Sequence, residues 1–118
     1  MARVVAFIPD LLFGSNVLGA LGAAGHDAVL VSDADSVAHE LPGADLVIVD
    51  LTADAAARVG QLSEIPHDGV RTLAFYSHVE TDVRDRAEAA GFELVVPRSR
   101  MAREGASLVE RLLGSRGQ

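Results

Sequence analysis

Five short apolar runs, each closed by a turn and followed by a stretch with helical spacing, divide this 118-residue chain into alternating strand and helix patterns. A continuous apolar, β-branched run such as Val4-Val5-Ala6-Phe7-Ile8 suits a strand buried on both faces, as in a parallel sheet covered by helices. Similar runs recur at residues 27–31, 45–50, 71–77 and 92–96. Between them the spacing predicts helices over 11–24 with Gly25 as C-cap, over the stretch opened by a cap within 32–35 and ended by Pro42-Gly43, over 55–62, and over 80–90 with Gly91 as C-cap. A last helix is predicted after Ser99 as its cap, with Met101, Leu108, Val109, Leu112 and Leu113 facing inward. Residues 113–118 are expected to fray.

Five strand–helix units joined by right-handed crossovers fit a doubly wound α/β domain, with five parallel strands in the order 2-1-3-4-5, better than a barrel or a bundle. At 118 residues this is one domain, 1–118, with a core large enough to need no disulfide or structural metal. No linker, internal repeat or second domain is read.

Composition removes several classes of chemistry. There is no cysteine, so disulfides, thiolate metal sites and cysteine nucleophiles are excluded. All ten basic residues are arginine, which excludes a Schiff-base or P-loop lysine. The net charge of −7 argues against direct binding to nucleic acid, where phosphate neutralisation supplies most of the affinity. The charge is uneven, however: residues 1–53 carry Arg3 against seven acids, whereas residues 98–118 carry five arginines against Glu104 and Glu110. No apolar stretch approaches the roughly 18 residues of a membrane span, and the first strand begins by Arg3, leaving no room for a signal peptide. A cytoplasmic location is the resulting expectation.

Three runs stop at a polar residue: Asp10, Asp50 and Ser77. In an open parallel sheet the carboxyl ends of the strands converge on one crevice, where ligands bind. Two carboxylates and a hydroxyl there suit Mg²⁺ and phosphate, because Mg²⁺ takes oxygen ligands and an aspartate beside it can accept a phosphoryl group.

On these residues the chain resembles a response-regulator receiver (CheY-like) domain, of flavodoxin-like fold, over essentially its whole length. The resemblance implies Asp50 as phosphoacceptor, Asp10 as the remaining metal-site acid, Thr52 as a backbone-carbonyl metal ligand and Ser77 as the switch hydroxyl. Arg98 occupies the position of the family's lysine. Two features depart from the pattern. Pro9-Asp10 stands where the family has a pair of acids, so Mg²⁺ is expected to bind weakly, and a planar guanidinium at position 98 does not reproduce an ammonium. In receivers an aromatic on the fifth strand follows the switch; here that region offers Phe92 and Val95, and Tyr76 lies on the fourth strand instead.

The resemblance implies a stand-alone signalling module acting through a protein partner or a homodimer, on the face of the fourth helix, fifth strand and fifth helix. Phosphorylation of Asp50, with a histidine kinase as donor, would switch it. The alternatives are a constitutive pseudo-receiver and, at lower weight, a small metal-dependent phosphate-handling enzyme; beyond self-phosphorylation and dephosphorylation at Asp50, no enzyme activity is expected. Each polar residue also has a structural reading: Asp10 and Asp50 can cap the following helix or meet its dipole, Ser77 can do the same, and His78 can be an exposed loop histidine. The glycines at 19, 22 and 25 fall too late in the first helix for a dinucleotide loop, and close helix-to-sheet packing is their expected role. Leu11, Leu12 and Phe13 are expected to form an apolar lip over the crevice.

Overall fold

The order of strands and helices follows directly from the apolar spacing, and its bounds in the computed structural model, which describes residues 2–77 and 80–114, are close to those expected. The elements are β1 (Arg3–Phe7), α1 (Leu11–Ala23), β2 (Asp27–Val31), α2 (Ala34–Glu40), β3 (Leu46–Asp50), α3 (Ala55–Glu64), β4 (Arg71–Tyr76), α4 (Thr81–Ala89), β5 (Leu94–Pro97) and α5 (Arg98–Gly114). The strands form one parallel sheet in the order β2-β1-β3-β4-β5.

Because successive side chains on a strand point to opposite faces, each strand feeds two apolar layers. Val5 and Phe7 of β1 with Val47 and Val49 of β3 join Val37, Val59, Leu62 and Val83 of α2, α3 and α4. Val4, Ala6 and Ile8 with Leu46 and Ile48 join Phe13, Val17 and Leu21 of α1 and Met101, Leu108 and Val109 of α5 on the other face. All of β3 is buried, as expected of the central strand.

Helix ends obey local chemistry. Asp33 caps α2 by accepting from the Ser36 N–H at 2.8 Å. Gly25 and Gly91 turn the chain after α1 and α4 with φ of +90° and +98°, where a side chain would be strained.

Four expectations need correction. Ser99 is not a cap: β5 passes straight into α5, whose first residue is Arg98, so Ser99 lies inside the helix. Leu113 and Gly114 are helical rather than frayed, because Leu112 and Leu113 pack on the core, while 115–118 lie outside the described residues. Gly19 and Gly22 do not pack against the sheet; both are exposed, with open space where a Cβ would sit. The close approach belongs to Gly14, where a Cβ would come within 2.6 Å of Leu30 Cδ1. Finally, Phe13 leaves the apolar lip and packs on Phe75 with ring centroids 5.1 Å apart. Leu11 and Leu12 do stay outside.

Candidate functional site

The sheet register sets the site. Phe7 is level with Val31 and Val49, Asp50 with Phe75, and Tyr76 with Pro97, so residues 10, 50, 77 and 98 all follow the strands at one edge. Sharing an edge does not make them share an ion.

Asp50 ends β3 and is only 4% exposed. Its Oδ1 accepts hydrogen bonds from both the backbone N–H (2.8 Å) and the hydroxyl of Thr52, closing a local turn of the kind aspartates favour. Arg58, two turns on in chain order and on α3, completes the cage. Its Nη1 donates to the Asp50 carbonyl at 2.7 Å and lies 3.8 Å from Asp50 Oδ1. The guanidinium also lies 5.7 Å from the centre of the Phe7 ring, and the Arg58 side chain is only 13% exposed. A buried carboxylate needs such a partner, because desolvation without compensation costs several kcal/mol, about 3–5 when one half of a pair is removed. Asp54, which ends the β3–α3 connection, sits in the left-handed region at φ 52° and makes no side-chain cap. That turn aims α3 so that Arg58 reaches back to the strand.

Asp10 behaves differently. It is the N-cap of α1, and its Oδ1 accepts from the N–H groups of Leu12 and Phe13 at 3.1 Å each. Its Oδ2 lies 3.8 Å from Nη2 of Arg98, whose guanidinium stacks 4.0 Å over the Phe13 ring. Both partners are about half exposed. Arg98 is thus held over α1 rather than against Asp50. A cavity of about 440 Å³ between α1 and α5 opens beneath this pair, lined in part by Leu12, Asn16, Val17, Ala20, Met101 and Gly105.

Ser77 follows β4 and is half-buried; its carbonyl accepts from the Glu80 N–H at 2.9 Å. Among the described residues, no hydrogen bond joins it to Asp50. Its neighbour His78 lies outside the described residues. Tyr76 is buried in the layer under α2, α3 and α4.

The two carboxylates therefore each face a different guanidinium, Asp50 with Arg58 and Asp10 with Arg98. Among the described residues no group of three or more His, Asp or Glu side chains is placed to hold a metal ion. A dication binding here would have to compete with those two guanidinium groups, which fits the weak Mg²⁺ binding expected from Pro9-Asp10. Arg58 is the residue that sequence reasoning passed over. Its signal was present, since it is the one basic residue between Arg3 and Arg71 and stands eight positions after the strand-end acid.

No protein-family model matches the sequence, and no curated protein does either. The fold has clear counterparts among solved structures. A response regulator receiver protein from Burkholderia phymatum superposes with a TM-score of 0.81 at 20% identity, covering 97% of this chain and 96% of that one. The receiver domain of the Francisella response regulator 1452 matches over the full length of both chains, with a TM-score of 0.82 at 11% identity. NtrX from Brucella abortus, solved in complex with ADP, matches 97% of this chain at 20% identity and a TM-score of 0.84, and this chain spans only 26% of it. The architecture is that of response-regulator receiver domains, the flavodoxin-like fold that the strand-end residues implied.

Proposed function

We propose that this chain is a signalling module of receiver architecture that acts by binding a protein partner, with Asp50 held in one arrangement by Arg58 instead of being cycled through phosphorylation. The observation that carries the reading is the closed cage around Asp50: Thr52 on Oδ1, Arg58 on both the carbonyl and Oδ1, and 4% exposure. A phosphoacceptor needs a free carboxylate oxygen and a dication to neutralise charge on the incoming phosphoryl group. Here Thr52 and Arg58 both engage Oδ1, and the guanidinium holds a fixed positive charge 3.8 Å from it.

The contact face assigned to this role is α4, β5 and the outer side of α5. It carries both signs of charge, with Arg84 paired to Glu88 on α4 and Arg100 and Arg103 paired to Glu104 on α5. Such a mixed face selects its partner by complementary charge more than by apolar area. Among the described residues no helix is long and apolar enough to cross a membrane.

The switched alternative keeps one observation in its favour, the placement of Asp50 and Ser77 at the ends of the neighbouring strands β3 and β4. In that reading a histidine kinase donates the phosphoryl group, Ser77 closes on it, and the α4–β5–α5 face changes state. Amide NMR during addition of Mg²⁺ and then beryllofluoride, an aspartyl-phosphate mimic, separates the two, with Asp50→Asn as control. The constitutive reading expects an unchanged spectrum. Shifts at Asp50, Thr52 and Ser77 that spread to residues 94–113 and vanish in the control would overturn it in favour of the switch.

A further inference from the structure

The α1 helix is uncharged on every side, and Ser15 and Asn16 are its only polar side chains. Across Leu11–Ala23 there is no charged residue, whereas the shorter α4, Thr81–Ala89, carries Asp82, Arg84, Asp85, Arg86 and Glu88. A helix without a charged face is normally covered, yet only Phe13, Gly14, Val17 and Leu21 of α1 are buried. Leu11 and Leu12 are 70% and 77% exposed, the only exposed large hydrophobic residues among those described.

We propose that α1 and the flank of α5 form a self-association surface, on which a second copy of this chain packs antiparallel about a twofold axis. Shape and charge both favour this pairing. Leu12, Asn16, Gly19 and Ala23 form one exposed stripe at helical spacing, with its large residue at one end and its small ones at the other. Turned end for end, the same stripe is its own complement: Leu12 of each copy meets Ala23 of the other, and Asn16 meets Gly19. Isologous contacts require such a match, because one patch must fit itself. Open space at Gly19 and Gly22 lets the helices approach closely. The charges beside the stripe agree with the same operation. Arg98 sits at the Leu12 end, beside Asp10, and Glu110 at the other end, 3.6 Å from His26, so an antiparallel pair brings Arg98 of each copy towards Glu110 of its mate. A parallel pair would set like charges together.

The surface is small. Thirteen residues make a helix about 20 Å long, and two helices side by side are roughly 20 Å wide, so the footprint is on the order of 400 Å² per copy. That is about half of a standard interface, which places the dimer in the weak class. Association through α1 does not depend on whether Asp50 is phosphorylated.

Sedimentation velocity over a concentration series tests it, on the full chain and on two single variants, Leu12→Glu and Ala23→Arg, each of which suits the dipole at its end of α1 and whose folding circular dichroism checks. The wild-type chain is expected to show a weak, concentration-dependent monomer–dimer equilibrium across the series. Each variant alone should dimerise at least about tenfold more weakly. An equimolar mixture should regain the dimer, because the carboxylate introduced at position 12 of one copy then faces the guanidinium introduced at position 23 of the other, while the native pair is kept at the second contact. A wild-type chain that stays monomeric throughout would overturn the proposal. So would a dimer that survives both variants and is lost in Arg100→Glu on the outer side of α5, or a mixture that fails to restore association.

Discussion

Replacing Arg58 by Met keeps most of the aliphatic stem but removes the guanidinium that faces Asp50 and lies over Phe7. At 3.8 Å and an effective dielectric constant of about 20, the gross attraction between the two charges is about 4 kcal/mol. Desolvation of both ions offsets part of this, and Thr52 continues to donate two hydrogen bonds to Asp50 in the variant. The lost hydrogen bond to the Asp50 carbonyl adds about 1 kcal/mol, so the expected net destabilisation is about 2–3 kcal/mol. With a urea m-value of about 2 kcal/mol/M, the midpoint of unfolding should fall by roughly 1–1.5 M. Combining Arg58→Met with Asp50→Asn isolates the pair. Once the carboxylate is gone, losing the guanidinium should cost about 1 kcal/mol less than in the wild-type background. A midpoint within about 0.3 M of wild type, or effects that add to within about 0.5 kcal/mol, would refute the claim that Arg58 and Asp50 are one coupled unit.

Other consequences follow at separate places in the fold. Asp10→Ala should cost about 1 kcal/mol through loss of the α1 cap, whereas Arg98→Ala should cost less because its ion pair is half exposed; thermal melts of the two variants should rank in that order. Gly14→Ala should be nearly neutral, since the helix gains about 1 kcal/mol of propensity while Leu30 must shift, but Gly14→Val should destabilise by about 1–3 kcal/mol in chemical denaturation. Asp33 titrates below its ordinary value of 3.8, chiefly because the Ser36 N–H holds the carboxylate and secondarily through the Ser36 side chain. Its stabilising contribution is therefore present above that value and lost as pH falls through the lowered one, so protection of the Ser36 amide, measured against its intrinsic exchange rate at each pH, should fall only under clearly acidic conditions, and an amide already unprotected at neutral pH would contradict the assignment.

What the sequence determined by itself is the succession of elements, because a buried parallel strand has few alternatives to a continuous apolar run and glycine at positive φ stops a helix wherever it falls. The runs at 27–31 and 45–50 were readable for that reason, and the strand order is one of the common orders of a doubly wound sheet with right-handed crossovers. The sequence also placed Asp10, Asp50 and Ser77 at one edge. It could not say what each carboxylate touches. Asp50 meets Arg58 because the turn through Asp54 sets the azimuth of α3, and Arg98 lies over Phe13 because β5 passes into α5 without a loop. The glycines of α1 read as packing positions in one dimension, yet Gly19 and Gly22 face outward, since which side of an apolar helix meets the sheet is decided by its neighbours when no charged residue marks the solvent side. Local spacing is a property of the chain; the pairing of charges between elements is a property of their relative orientation, which only the packed core sets.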